Sequence, residues 1–289
     1  MRRDRSSKPR RSTTFHRFET REKVLREDKK RARLLRKTAA NIPVSGNVPV
    51  LSGARELRRL AARLERVQEG RIPRTLASSR KMRRVRRKVF RAIMQEFEVF
   101  EDEEVRTFTV ISRSWCIDPE RLQILTAKHL KRQFLSHLER SGISSIEGCL
   151  VAFIHGEFEP TSGLFQLHLH GMGTRKKVRA LHRLKGNWGY LKTVTGSHPI
   201  RVEMVRNRAA QVSYLLKSYW PSRAVREVDG VQRRNRDKRR IPEPYHSEVL
   251  CWFHRQTLGD MTIVQGGRFL PNGELRLSCP VVDDADSDF

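Results

Sequence analysis

The sequence predicts an α+β fold built on an antiparallel sheet, and three observations carry that prediction. From residue 105 onward, β-branched and aromatic runs read as strands, apolar residues at helical spacing alternate with them, and Pro160-Thr161-Ser162-Gly163 joins two strands by a direct turn. The length of 289 residues suits one core with appended segments.

Residues 1–103 are dominated by Arg and Lys, with helical runs around 19–40, 53–69 and 79–98 separated by Pro, Gly and Ser. Stretches such as Arg83-Arg84-Val85-Arg86-Arg87-Lys88 leave few apolar positions, so a partly helical or disordered basic arm is expected, unable to bury a core without help. The composition changes near Val105, where Arg106-Thr107-Phe108-Thr109-Val110-Ile111-Ser112 has the content of a strand. Asp118-Pro119 opens an amphipathic helix, with Leu122, Leu125, His129, Leu130, Phe134, Leu135 and Leu138 recurring until Gly142. Ile146 to Phe158 reads as a strand and Leu164 to Met172 as its antiparallel partner. Lys176 to Trp188 then reads as a helix, His198 to Val205 as a short strand, and Ala209 to Trp220 as a helix ended by Pro221. The order βαββαβα over residues 104–220 matches a ferredoxin-like sheet, with its helices on one face and the opposite face free for function. Residues 221–289 hold a basic linker around Arg233 to Arg240, a helix near 245–257, a hairpin around Pro271-Asn272-Gly273 and an acidic tail.

Sixty Lys and Arg against 32 Asp and Glu give a net charge of +28 and a pI near 11.1. Such a charge calls for a polyanion, and nucleic acid is the usual one, although charge alone says nothing of catalysis. Cys116, Cys149, Cys251 and Cys279 lie far apart without a CxxC pair, which argues against a zinc knuckle or a disulfide framework. Cys251 and His254 sit among Leu250, Trp252 and Phe253 and read as buried packing. No apolar run approaches about twenty residues and no hydrophobic signal core follows the N-terminus, so a cytoplasmic protein without a membrane partner is expected.

Side chains two apart on a strand project from one face, so His168 and His170 present two imidazoles together while Leu169 points away. Such a pair is a metal-site candidate, and Glu157 across the turn can complete a two-histidine, one-carboxylate set. The register is open by a residue or two, which ranks Glu157 first for the third place, then His155, then Glu159. Ordinary solvent-facing carboxylates would give the same alternation. Further on, Tyr214 and Lys217 stand three apart and share a helical face. A phenol ionises near pKa 10, so a nucleophilic tyrosine needs positive charge beside it, which Lys217 is placed to supply.

Taken together, the strand Thr107-Phe108-Thr109-Val110, then Glu157, then His168-Leu169-His170-Gly171, then Tyr214-x-x-Lys217 resembles the HUH endonucleases of rolling-circle replication. The histidine pair precedes the tyrosine helix, as in the plasmid and phage replication initiators. Leu169 stands where many members of that branch have Pro, and Tyr219 raises the question of a second nucleophile. On a continuous helix Tyr219 would lie some 140° around the axis from Tyr214, so a single-tyrosine enzyme is expected. The resemblance implies Mg²⁺ or Mn²⁺ held by His168, His170 and Glu157, attack by Tyr214 on single-stranded or hairpin origin DNA, and a 5′-phosphotyrosine with a free 3′-hydroxyl. Lys217 would stabilise the phenolate or the phosphate. Host helicase and polymerase are the further partners this role would bring. A second reading is a nucleic-acid-binding protein without catalysis, although its sheet would carry stacking aromatics where the histidines stand. A third is a metal-dependent hydrolase that uses water.

Overall fold

Apolar residues hidden at helical spacing among the cations decide what the N-terminal region does. In the computed structural model, which describes residues 18–41, 52–66, 72–192, 198–215, 217, 219–228, 230–235, 237–270 and 274–278, the first elements among the described residues are three helices. These are α1 (Arg21–Ala40), α2 (Ala54–Glu65) and α3 (Ser79–Glu96). Thr20 and Ser78 cap α1 and α3 by accepting the Lys23 and Lys81 backbone N–H groups. Leu35 of α1 and Leu57, Leu60 and Leu64 of α2 are fully buried where the two helices pack together. Asp28 of α1 binds α3 from below the surface: it accepts from Ser78 Oγ, the Ser79 N–H and Arg80 Nε at 2.6–2.8 Å. The basic arm is therefore a packed helical layer over much of its length.

Next come β1 (Val105–Ile117), α4 (Pro119–Ile124), α5 (Ala127–Arg140), β2 (Leu150–Glu159), β3 (Leu164–Thr174), α6 (Arg175–Ala180), β4 (Ile200–Met204) and α7 (Arg208–Leu215). Three expectations need correction. The single helix from Asp118 to Gly142 is two, because Leu125 and Thr126 are extended and Thr126 starts α5 afresh by accepting the His129 N–H. The helix expected from Lys176 to Trp188 is α6 followed by a 3₁₀ turn, Leu181–Leu184. The helix expected to reach Trp220 has its described span end at Leu215.

The remainder forms β5 (Pro221–Ser222), β6 (Val225–Val228), β7 (Val231–Arg234), β8 (Arg239–Arg240), α8 (Tyr245–Arg255), α9 (Leu258–Met261), β9 (Thr262–Gln265), β10 (Gly267–Phe269) and β11 (Leu275–Leu277). The two ends of what reads as a basic linker are strand: Arg233 and Arg234 close β7, which pairs with β6 as a hairpin, and Arg239 and Arg240 form β8, which pairs with β5. The β10–β11 hairpin stands where expected, with its tip at 271–273 and the acidic tail outside the described residues. Among the described residues no helix is long and apolar enough to cross a membrane.

The architecture is α+β with a mostly antiparallel sheet, ordered β4-β1-β3-β2 and extended beyond β2 by β5 and β8, with β9 also pairing to β2. The four central strands are antiparallel among themselves, and β5 joins β2 in parallel. Alternation divides the sheet into two faces. On one, Phe108, Val110, Ala152, Ile154, Leu167 and Leu169 form a core with Phe134 of α5, Val178 of α6 and Trp252 of α8. Leu35 and Leu57 belong to that same core, so the first and last parts of the chain share it. On the other face, Val151, Phe153 and Met172 are covered by Ile93 of α3, by Phe97 at its C-cap, and by Val212 and Leu215 from α7. The face expected to be free is covered along this stretch, and function is confined to what lies beyond it.

Candidate active site

The turn Pro160-Thr161-Ser162-Gly163 fixes the register of the β2–β3 hairpin by pairing Glu159 with Leu164. His155 therefore stands directly opposite His168, and Glu157 opposite Gln166. On the other side of β3, β1 brings Thr109 opposite His170. All of these side chains project from the partly covered face, next to its apolar stretch.

Three imidazoles gather there. His168 Nε2 and His170 Nε2 are 3.1 Å apart, and the His155 ring centroid lies 5.9 Å from that of His168 and 5.0 Å from that of His170. Hydrogen bonds set the tautomers. The Gln166 carbonyl can only accept, so His168 donates from Nδ1 at 3.2 Å and keeps its lone pair on Nε2. His155 likewise donates from Nε2 to the Leu215 carbonyl at 2.7 Å, satisfying a C-terminal carbonyl of α7 and tying that helix to the sheet. His170 Nδ1 meets Thr109 Oγ1 at 2.8 Å, and a hydroxyl can play either part there. When Thr109 donates, His170 Nε2–H can donate to His168; when Thr109 accepts, both Nε2 lone pairs face one another. The second state needs a cation between them.

Two nitrogens bound at right angles to one metal at about 2.1 Å would be about 3.0 Å apart, so this pair fits a divalent ion. Burial holds all three imidazoles neutral, the form a metal requires: His155 and His170 lie well below the usual histidine range and His168 is pushed down to about 4. No third ligand is preformed, and among the described residues no group of three His, Cys, Asp or Glu stands ready to hold a metal. The Glu157 carboxylate accepts from Arg223 Nη1 at 3.2 and 3.3 Å and from Arg234 Nη1 at 2.7 Å. Burial works to raise its pKa, and His168, Arg223 and Arg234 together outweigh that and leave it lowered. Glu159 is occupied elsewhere, accepting from the Thr161, Ser162 and Val225 backbone N–H groups. Of the three candidates for the third place, His155 and Glu157 stand by the pair and Glu159 does not.

The tyrosine arrives from a different part of the chain. Tyr214, 42% exposed near the end of α7, sets its ring edge-on to His170 with centroids 5.1 Å apart. Lys217 reaches it from beyond the helix and places Nζ 3.7 Å over the ring centre, with Lys238 Nζ at 5.3 Å. The ammonium faces the ring and not the hydroxyl, so the phenol is not depressed: burial first, then Glu157, raises its pKa. Burial, followed by Lys238, brings Lys217 down to about 8. Tyr219 is a bend residue outside the described span of α7, so it does not lie some 140° from Tyr214 around one helix, and it lines the same groove as Tyr214.

Arg223, Arg234 and Lys238 were invisible as site residues in the sequence, where Arg234 and Lys238 belong to an undifferentiated basic run and Arg223 stands alone before it. Comparison with known proteins finds no family model that matches the chain, no match among curated proteins and none among solved structures.

Proposed function

We propose that this chain nicks one strand of DNA by attack of Tyr214, as a replication initiator of the HUH endonuclease type acting at a single-stranded or hairpin origin. The observation that carries the reading is the contact of Tyr214 with His170: a solvent-reached phenol beside two imidazole lone-pair positions, from motifs far apart in sequence. The order β4-β1-β3-β2, with α5 and α6 packed on one face, supports a ferredoxin-like core beneath it.

A divalent ion, Mg²⁺ or Mn²⁺, held by His168 and His170 with Glu157 or His155, would supply charge that polarises the scissile phosphate. The chain's own groups do the rest. Tyr214 Oη bonds to phosphorus as the bond from phosphorus to the 3′ oxygen breaks, giving a 5′-phosphotyrosine and a free 3′-hydroxyl; reversal rejoins the strand. Lys217, whose Nζ lies 3.7 Å over the Tyr214 ring, adds charge that stabilises the developing phenolate or the phosphate, while the phenol proton passes to solvent and the leaving 3′ oxygen takes one from it. Arg223 and Arg234 hold Glu157 and border the phosphate position with fixed positive charge.

Incubating the protein with Mn²⁺ and an end-labelled library of random single-stranded oligonucleotides should yield a denaturant-stable protein-DNA adduct that Tyr214→Phe abolishes. Oligonucleotide binding without any adduct would favour the non-catalytic reading, and cleavage without an adduct a hydrolase that uses water.

A further inference from the structure

The Tyr214 site does not end at Tyr214. A hollow of about 300 Å³, lined by Tyr214, Lys217, Ser213 and Arg86, meets a second of about 370 Å³ between α1 and β8, lined by Lys23, Glu27, Trp220 and Arg239. Glu19, Tyr219 and Lys238 line both, so the two form one groove leading away from the proposed nucleophile. From Glu19 to Arg31 the α1 wall is about 18 Å long.

Tyr219 stands at the junction with unusual support. The next residue, Trp220, is buried against Trp252, Phe253 and Phe165, with ring centroids 4.9, 5.1 and 6.3 Å away. It lies so close over β2 that a Cβ on Gly156 would come within 2.5 Å of its ring. The backbone at Tyr219 is thereby anchored while the residue stays 47% exposed, and among the described residues no ring or cation is stacked on it. The charge along the groove is sorted as well. Glu19 is held by Arg86, and Glu27 by Arg31 and Arg240, which neutralises both carboxylates from within the protein. Lys23, Lys238 and Arg239 have no ion-pair partner among the described residues and line the groove uncompensated.

An exposed, anchored aromatic flanked by unpaired cations is the arrangement that receives unstacked bases and their phosphates. A duplex offers no free base face to such a ring. We propose that this groove carries single-stranded DNA away from Tyr214, with Tyr219 stacking on a base beside the scissile phosphate and Lys23, Lys238 and Arg239 following the backbone. The inference rests on the nicking reading only for where the strand leads.

The test is equilibrium binding of a labelled oligothymidine to the full chain in EDTA, by fluorescence anisotropy. Tyr219→Ala should weaken binding about tenfold and melt like the parent, whereas Tyr219→Phe should bind within about twofold of it, since stacking needs the ring and not the hydroxyl. Scanning one abasic nucleotide along the strand should find a position that weakens the parent but not Tyr219→Ala. Lys238→Ala should lower the salt slope of binding by about 0.7. Duplex affinity should not change in Tyr219→Ala. Unaltered single-strand binding by Tyr219→Ala, or an equal loss on duplex, overturns the groove. The assay needs no metal and no chemistry. Failure of adduct formation with a normal stacking result therefore defeats only the nicking reading, and adduct formation with full-strength binding by Tyr219→Ala defeats only this one.

Discussion

Along β3, Leu167 and Leu169 enter a core shared with Trp252 and Phe134, while their neighbours Gln166, His168 and His170 turn to the other side and meet His155, Glu157 and Thr109. One strand thus feeds two surfaces of opposite character. The apolar face excludes water with groups that want to be buried. The polar face holds buried imidazoles and a carboxylate whose charged forms are costly there, a cost that packing alone does not justify. Stability should therefore reside on the first face and on the apolar stretch of the second, and chemistry in the polar stretch of the second.

The largest effect should come from cutting each face in turn. Trp252→Ala removes a fully buried ring and its Nε1–H bond to the Leu125 carbonyl at 2.7 Å, and should cost about 4 kcal/mol in urea unfolding. His168→Ala should cost under about 2 kcal/mol while abolishing the adduct. Equal losses of stability would erase the distinction between the faces.

The next prediction concerns acid. The His168 pKa in the folded chain, about 4, lies below the ordinary value of 6.5, so the folded state binds fewer protons than the unfolded one across that interval. Above about pH 6.5 this group carries no penalty; as pH falls through the interval to about 4 the unfolded chain takes up a proton that the folded one refuses, and roughly 3 kcal/mol of stability is lost. His155 and His170, lowered in the same direction, should steepen the fall. Urea midpoints taken from pH 7 to pH 4 should decline, and His168→Gln should flatten the curve; a parent curve no steeper than the variant's would contradict the burial argument.

The smallest effect sharpens the polar face alone. Thr109→Val removes the hydroxyl at His170 Nδ1 and with it the hydrogen bond that frees the Nε2 lone pair. Calorimetric titration with Mn²⁺ should show affinity reduced at least tenfold with little change in melting temperature. Unchanged affinity would mean that His170 is not a ligand.

Much of this was legible from local pattern. The β2–β3 hairpin, the strand at Thr107–Val110, α8 and the His168/His170 pair follow from alternation and turn chemistry within a few residues. The third imidazole was half legible: once the Pro160–Gly163 turn is closed by Glu159 and Leu164, His155 must face His168. The packing of α1 and α2 was masked because Leu35, Leu57, Leu60 and Leu64 are separated by arginines that dominate composition yet occupy the other helix faces. The Arg223 and Arg234 grip on Glu157 depends on a hairpin between short strands, and short strands carry too few positions for periodicity to register.

On the proposed chemistry Tyr214, and no other residue, becomes joined to DNA. Digesting the adduct with protease and nuclease and sequencing the modified peptide by mass spectrometry tests it directly. A nucleotide remnant on Tyr214 is the expected result; a remnant on Tyr219 or any other residue, or no modified peptide at all, would contradict it.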